Sequence, residues 1–157
     1  IIDGFTCAVG TGGTLAGVSI GLKNKNKNIK IALSDPMGSS LYSHIKNNKL
    51  ESSGNSITEG IGTGRITKNF EAAIVDEAFQ TEDTEALKIV YDLIEKQNII
   101  LGGSSGINIA GAIKLAKKMG KGKTIITILC DDGRRYASKI FNKEFLKSKN
   151  LPIPNWL

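Results

Sequence analysis

GFTCAVGTGGTLAG, residues 4–17, is the most informative stretch of this 157-residue chain, because an apolar run there ends in glycines and precedes helix-forming residues. The run Asp3 to Val9 is typical of a buried strand, and Thr14 to Lys23 can form a helix after the glycines. Ile29 to Ser34 is a second apolar run, which Asp35-Pro36 ends. A strand, a glycine turn, a helix and a strand predict a βαβ unit with parallel strands.

The rest of the chain continues this alternation. Thr81 to Gln97 is predicted to be a helix with Thr81 as its cap, because acidic residues crowd its first turn and apolar residues share one face. Asn98 to Leu101 is predicted to be a short strand, followed by a glycine–serine turn and a helix to about Met119. Thr124 to Cys130 is a continuous apolar run, typical of a strand buried on both faces. A short helix, a loop and a further strand are predicted at Ser39 to Asn47, Gly54 to Asn69 and Ala72 to Phe79.

The chain contains no internal repeat and no linker between domains. We therefore predict one domain, residues 1–157, of the α/β class, with a mostly parallel sheet flanked by helices. No apolar run approaches the ~18 residues that span a bilayer, and the N-terminus lacks the features of a signal peptide. Cys7 and Cys130 each lie in an apolar run, which predicts reduced, buried thiols and a cytoplasmic protein.

The net charge of +6 raises the question of a nucleic-acid partner. Only three of the 21 basic residues are arginines: Arg65, Arg134 and Arg135. Specific readout of phosphates and base edges favours the planar fork of arginine over lysine. We therefore expect no nucleic-acid partner and interpret the lysines as a solvated surface.

Gly10-Thr11-Gly12-Gly13-Thr14 lies between the first predicted strand and the first predicted helix. A helix start offers unpaired N–H groups, glycines let the backbone curl around an anion, and threonine hydroxyls add hydrogen bonds. A phosphate is the expected occupant, and a side chain at Gly12 is expected to take its place. The alternative is a tight strand-to-helix turn without a ligand. The dinucleotide fingerprint does not apply, because Leu15 stands where its third glycine would be.

Two further glycine-rich turns belong to the same predicted edge of the sheet. Gly102 to Gly106 precedes a helix, and plain capping by Ser104 or Ser105 is the alternative to ligand binding there. Gly60 to Gly64 is a flexible segment that is weak evidence by itself. His44, the one histidine, lies in a polar helix, and no metal-ligand spacing is present. The chain thus offers anion-binding loops without a catalytic group of its own, which predicts that a cofactor supplies the chemistry.

Five segments together resemble the cysteine synthase family of pyridoxal-phosphate enzymes, which has the tryptophan-synthase-β-like fold (fold type II). They are AVGTGGTLAG (8–17), SDPMGSSLYS (34–43), TEGIGTGRI (58–66), LGGSSGINIAGAIKLA (101–116) and LCDDGRRYASKIFN (129–142). The resemblance covers the whole chain in order. It implies an enzyme that makes L-cysteine from O-acetylserine and sulfide by β-replacement, with pyridoxal 5'-phosphate as cofactor. It also implies a homodimer.

The resemblance assigns roles to single residues. Gly10, Thr11, Gly12, Gly13 and Thr14 match the loop that holds the cofactor phosphate. Ser104 matches the serine that hydrogen-bonds the pyridine nitrogen, and Gly60 matches the segment lining the substrate cleft. A neutral hydroxyl at that nitrogen makes the ring a weaker electron sink than a carboxylate would, which suits β-elimination and β-replacement better than transamination.

The chain also departs from the family in one large respect. The family's Schiff-base lysine and the loop that grips the substrate carboxylate lie in the N-terminal half of the enzyme, so no catalytic residue is assigned here. The chain begins at Ile1, just before its first predicted strand, and is expected to be a C-terminal domain incomplete at its N-terminus and inactive alone. The alternatives are a cystathionine β-synthase or serine dehydratase on the same scaffold, and a non-catalytic phosphate-binding domain.

Overall fold

The computed structural model describes residues 1–157 and shows a four-stranded sheet with helices. The strands are β1 (Gly4–Cys7), β2 (Lys30–Pro36), β3 (Glu77–Thr81) and β4 (Ile125–Thr127). The α-helices are α1 (Gly13–Lys25), α2 (Leu41–Asn47), α3 (Lys68–Glu71), α4 (Asp83–Gln97), α5 (Gly103–Met119), α6 (Ala137–Ile140) and α7 (Lys143–Ser148). A 3₁₀ turn at Gly133–Tyr136 precedes α6. None of the helices combines the length and apolar composition that a membrane-spanning helix needs.

The sheet has the order β3-β2-β1-β4, and every pair in it is parallel. The predicted βαβ unit is β1, α1 and β2, in which Phe5 pairs with Ile31 and Cys7 with Leu33. Because β1 and β2 are the two central strands, the loops that follow them meet at one edge of the sheet. This confirms the α/β class with a parallel sheet.

The core comprises two clusters, of which the first includes residues of the central strands. One cluster comprises Phe5, Cys7, Val9, Leu15, Ile29, Ile31, Leu33, Leu41, Phe70 and Ala78. A second comprises Leu87, Val90, Tyr91, Ile140 and Leu146, against which the C-terminal tail packs. In that second cluster the Tyr91 hydroxyl donates to the carbonyl of Ile140 at 2.7 Å, which ties α4 to α6.

Helix α5 packs very closely on the sheet through Gly111. A Cβ atom built on Gly111 would lie 1.7 Å from Oγ of Ser34 on β2. Ser34 in turn shares a 2.8 Å hydrogen bond with the hydroxyl of Thr6 on β1. The missing side chain at Gly111 therefore sets the distance between α5 and both central strands.

Several predictions about strands and caps were wrong. Asn98 to Leu101 is not a strand, since only Leu101 forms a single antiparallel bridge, with Asp132. The run from Thr124 forms an edge strand of three residues, and Leu129 is exposed, so this run is not buried on both faces. Thr81 ends β3 instead of capping α4, and its hydroxyl accepts a hydrogen bond from Lys114.

Candidate functional site

The loop that follows β1 meets residues 60–64 at the carboxyl edge of the sheet. The N–H of Gly62 donates to the carbonyl of Val9 at 2.8 Å. A Cβ on Gly10 would lie only 2.4 Å from the carbonyl oxygen of Gly60, whose own φ is +75°. The segment 60–64 therefore lies directly against residues 9–10, and glycine is required at Gly10 for this contact. The structure brings together two of the three glycine-rich turns that the sequence singled out.

The loop at residues 10–14 has many unused hydrogen-bond donors. Helix α1 begins at Gly13 with Gly12 as its cap, and no side chain caps its N–H groups. The backbone N–H groups of residues 11–15 donate to no atom of the chain. The hydroxyls of Thr11 and Thr14 are exposed and also make no hydrogen bond. Free donors at the positive end of a 13-residue helix form an arrangement suited to an anion such as a phosphate.

Helix α3 supports this loop from one side. The Thr67 hydroxyl donates to the carbonyl of Thr11 at 2.6 Å and accepts from the N–H of Phe70. Gly12 has a φ of +89°, and a Cβ there would lie 2.8 Å from the backbone nitrogen of Phe70. A side chain at Gly12 would therefore collide with Phe70, in addition to the expected obstruction of the phosphate.

Ser104 is buried but has no hydrogen-bond partner in the chain. It lies in the first turn of α5, whose cap residue is Gly102, and only 7% of it is exposed. Neither Ser104 nor Ser105 caps the helix, so the capping alternative was wrong. The Ser105 hydroxyl instead accepts from the N–H of Cys130 at 3.0 Å. The Oγ atom of Ser104 is not among the buried polar atoms that lack a partner, so the hydroxyl is open to solvent and free to bind a polar ligand atom.

Asn108, which the sequence analysis missed, links α5 to the end of β1. Its Oδ1 atom accepts from the N–H of Ala8 at 2.7 Å, and its Nδ2 atom donates to the carbonyl of Ile128 at 2.8 Å. Nδ2 also lies 3.4 Å from Sγ of Cys130. Asn108 is 1% exposed, so these bonds fix the start of α5 relative to the loop at residues 10–14. An asparagine between apolar residues of a helix (GINIAG) is the signal that could have found it.

Asp35 lies at the end of β2, beneath segment 60–64, and was also missed. Its Oδ2 atom accepts from the N–H of Tyr42 at 2.8 Å, while its Oδ1 atom is buried without a partner. Beside it, the Ser39 hydroxyl accepts from the N–H of Thr63 at 3.1 Å. Burial raises the pKa of Asp35 to about 6, against the weaker lowering effect of Ser39 and the Tyr42 N–H. A carboxyl group that follows Ser34 in a buried strand and precedes Pro36 was the available signal.

The raised pKa of Asp35 predicts that the free energy of unfolding falls as the pH rises. The folded-state pKa of about 6 lies above the ordinary 3.8, so folding favours the protonated form. Its stabilising contribution is complete below pH 3.8 and is lost as the pH rises through about 6. At ~1.4 kcal/mol per pKa unit, the loss is about 3 kcal/mol. We expect the free energy of unfolding of Asp35→Asn, measured in urea, to gain most of that amount relative to the unsubstituted protein between pH 4 and pH 7.

Asp132→Asn is the control for this pH dependence. Arg134 holds the pKa of Asp132 at about 2, so this carboxylate stays ionised across the whole range from pH 4 to pH 7. Its difference from the unsubstituted protein is expected to stay flat there. A flat difference for Asp35→Asn as well would contradict a protonatable Asp35.

The remaining candidate groups do not form a catalytic set. Both cysteines are free, and Cys7 is buried as predicted, but Cys130 is exposed, contrary to the prediction. Burial raises the pKa of the Cys7 thiol to about 12, which keeps it protonated. His44 lies on α2 with its ring edge against Phe70. No group of three His, Cys, Asp or Glu side chains is placed to hold a metal ion.

Comparison with known proteins identifies the family. The profile described as "Pyridoxal-phosphate dependent enzyme" matches residues 1–131. The chain belongs to this family. The pyridoxal-phosphate-dependent enzymes use that cofactor, and the free donors at residues 11–15 and the free Ser104 hydroxyl fit a phosphate and a ring nitrogen.

Two relatives within this pyridoxal-phosphate-dependent family are named cysteine synthases. "Cysteine synthase 1" of Emericella nidulans is 43% identical over 96% of this chain and 42% of its own length. "Cysteine synthase" of Dictyostelium discoideum is 41% identical over 97% of this chain and 43% of its own length. The chain thus spans about two fifths of the length of these relatives.

A solved structure shows the same fold. The O-acetylserine dependent cystathionine β-synthase of Helicobacter pylori superposes with a TM-score of 0.77 at 31% identity, over 88% of this chain and 43% of that chain. The fold type II architecture expected from the resemblance is confirmed, and this chain corresponds to part of the longer enzyme.

Proposed function

We propose that residues 1–157 form the C-terminal, cofactor-holding domain of a pyridoxal-phosphate-dependent cysteine synthase. The whole enzyme makes L-cysteine from O-acetylserine and sulfide by β-replacement. The relatives at 43% and 41% identity, both named cysteine synthases, support this reaction. The observation that carries the proposal within the chain is the set of free donors at residues 11–15, beside which segment 60–64 packs.

In this proposal, residues 10–14 hold the cofactor phosphate. Gly12 takes a positive φ and Gly10 allows the close approach of Gly60, while the free N–H groups with the Thr11 and Thr14 hydroxyls donate to the phosphate oxygens. No acidic residue lies in the first turn of α1 to oppose this anion. Thr67 and Phe70, on the α3 side, hold the loop in this conformation before the cofactor binds.

In the same proposal, the Ser104 hydroxyl binds the ring nitrogen of the cofactor, and Gly60 lines the substrate cleft. Pyridoxal phosphate, when bound, supplies an electron-withdrawing ring that stabilises negative charge on an amino-acid substrate. The Ser104 hydroxyl can bind the ring nitrogen without fixing a proton on it, which moderates this electron withdrawal and favours replacement at the β-carbon. The neighbouring Ser105 is committed to Cys130, so Ser104 is the hydroxyl available in this turn.

The catalytic lysine is assigned to the N-terminal part of the enzyme, and the domain alone is expected to be inactive. Among the lysines of this chain, Lys139 lies beside the cavity that Ser104 lines, but its ammonium group pairs with Glu59. An ammonium group held in an ion pair is a poor nucleophile for a carbonyl carbon. No residue of this chain is therefore proposed as the covalent anchor.

The wider properties follow the same proposal. We place the full-length enzyme in the cytoplasm as a homodimer, acting on an amino-acid substrate and sulfide, without nucleic-acid or membrane partners. The buried, protonated Cys7 thiol and the predominance of lysine in the net charge of +6 are consistent with this assignment.

The test is a substrate comparison on the full-length protein. We expect it to bind pyridoxal phosphate and to form cysteine from O-acetylserine with sulfide faster than it forms cystathionine with homocysteine. Faster cystathionine formation would move the protein to the cystathionine β-synthases, and loss of ammonia from serine alone would make it a dehydratase. Cofactor binding without turnover of any of these would leave a phosphate-binding domain.

Thr11→Val gives the same test a residue-level readout. It removes one hydroxyl and keeps the side-chain shape, so it should weaken cofactor binding about tenfold or more, the usual effect of losing a hydrogen bond to a charged group. Thr84→Val, at a threonine remote in sequence from the loop, is the matched control and should leave cofactor binding unchanged. Equal affinity of Thr11→Val and the unsubstituted protein would contradict the assignment of Thr11.

A further inference from the structure

The turn that precedes Ser104 is locked against residues 130–136 by backbone contacts. The N–H of Gly102 donates to the carbonyl of Asp131 at 3.0 Å, and Leu101 forms an antiparallel bridge with Asp132. A Cβ on Gly133 would lie 2.4 Å from the carbonyl oxygen of Leu101, so only glycine fits there. The position of the turn is therefore set by a segment about 30 residues later in the chain.

A carboxylate and a phenol extend this contact through side chains. The Tyr136 hydroxyl donates to Oδ2 of Asp131 at 2.5 Å. Oδ1 of Asp131 is buried without a partner and lies 2.8 Å from where a Cβ on Gly102 would be. Cε2 of Tyr136 lies 2.8 Å from the same point. The pair encloses Gly102, two residues before Ser104.

Ser104 itself remains free within this arrangement. Its neighbour Ser105 is held by the N–H of Cys130, and Gly102 is held by Asp131, so both sides of Ser104 are fixed by residues 130–136. Ser104 and Tyr136 line the same small cavity, of about 10 Å³, together with Thr58 and Glu59. This volume is enough for about one water molecule.

The chemistry of the pair is unusual for a purely structural contact. Leaving a carboxylate oxygen buried without a hydrogen bond costs about 1–3 kcal/mol, which an apolar pair of the same shape would avoid. The one cation near Asp131 is Arg135, at 3.7 Å, and its side chain is largely exposed. What the free oxygen does face is the N-terminus of α5, where a negative charge is favourable. The hydrogen bond to Asp131 raises the pKa of Tyr136, which keeps the phenol a donor.

We propose that Asp131 and Tyr136 are positioning residues for Ser104: they hold the turn at Gly102 so that the Ser104 hydroxyl points to the cofactor ring nitrogen. This inference rests on the proposed function, in which Ser104 binds that nitrogen. It is independent of the phosphate loop, which the pair does not contact. The pair therefore affects the rate of the reaction, whereas residues 10–14 determine whether the cofactor is retained.

The test uses Tyr136→Phe and Asp131→Asn in the full-length protein with pyridoxal phosphate bound. We expect both variants to keep the cofactor, to change its absorption spectrum, and to lower kcat for cysteine formation about tenfold to a hundredfold, the range that misplacement by about 1 Å produces. KM for O-acetylserine should change less than kcat. Asp131→Asn preserves the side-chain shape, so it remains informative if Tyr136→Phe fails to fold.

Tyr91→Phe is the matched control. It also removes one hydroxyl that donates to an oxygen of a nearby element, the carbonyl of Ile140, but Tyr91 does not contact the turn before Ser104. It should lower Tm and leave the cofactor spectrum and kcat unchanged. The proposal is overturned if Tyr136→Phe and Asp131→Asn match Tyr91→Phe in spectrum and kcat, while the proposed function stands as long as the unsubstituted enzyme binds the cofactor and makes cysteine. An unsubstituted enzyme that binds no pyridoxal phosphate overturns both.

Discussion

Gly13→Asp is expected to abolish cofactor retention while leaving the fold intact. A Cβ on Gly13 would have only ordinary contacts, 3.7 Å from Nδ2 of Asn69 and 3.8 Å from Oγ1 of Thr11, so the side chain has room. The new carboxylate would lie beside the Thr11 hydroxyl and the free N–H groups that are proposed to hold the phosphate. Two like charges about 4 Å apart repel by about 4 kcal/mol near a protein surface. Binding should therefore weaken roughly a thousandfold.

Stability separates this effect from misfolding. An acidic residue in the first turn of a helix is stabilising by about 0.3–1 kcal/mol, so Gly13→Asp should not lower Tm. The measurement is pyridoxal phosphate affinity, by titration of the apoenzyme, with Tm recorded in parallel. Gly17→Asp, one turn later in α1 with no neighbour within 4 Å of the added Cβ, is the control and should bind normally. Full affinity in Gly13→Asp would show that the phosphate binds elsewhere.

Gly12 does not allow the same separation. Its φ of +89° and the 2.8 Å approach of Phe70 to a built Cβ mean that any side chain there strains the loop itself. Loss of cofactor from a Gly12 variant would report the displacement of Phe70 as much as a blocked phosphate site. The two adjacent glycines are alike in sequence but differ in what each contacts, and Gly13 is the informative position.

The sequence was sufficient for the central part of the fold because its signals there are local. The apolar runs around Phe5 and Ile31, separated by glycines and a helical segment, predict parallel pairing without knowledge of any distant contact. The free donors at residues 11–15 follow from the same local pattern of strand, glycines and helix. What the sequence predicted well depends on residues close together in the chain.

The errors concern segments whose structure depends on distant partners. Leu101 lies in an apolar run, yet it finds only one bridge partner, Asp132, and so forms no strand. Helix α5 leaves the apolar Ile113 42% exposed, whereas it buries Asn108 and Gly111. Small and polar residues carry no hydrophobic signal, although they allow the closest packing. Asn108 was missed because its partner Ala8 is 100 residues away.

Gly111→Ala is expected to destabilise the protein by about 3–5 kcal/mol, because overpacking of a rigid contact adds to the loss of a buried hydrogen bond. The added Cβ would lie 1.7 Å from Oγ and 2.7 Å from Cβ of Ser34. Neither atom can yield without breaking the bond between Ser34 and Thr6 or moving α5 off the sheet. The free energy of unfolding in urea, with the midpoint and slope both recorded, measures the effect.

Gly17→Ala makes the same chemical change but is expected to raise the free energy of unfolding. Gly17 is exposed on α1 with nothing within 4 Å of a built Cβ, so alanine should stabilise the protein by about 0.5–1 kcal/mol. Ser34→Gly combined with Gly111→Ala should recover part of the loss, since it removes both clashing atoms. A Gly111→Ala variant as stable as Gly17→Ala would contradict the close approach of α5 to β2. Because α5 begins beside Ser104, a destabilised Gly111→Ala protein should also lose the cofactor environment, which links the packing of this helix to the site at its N-terminus.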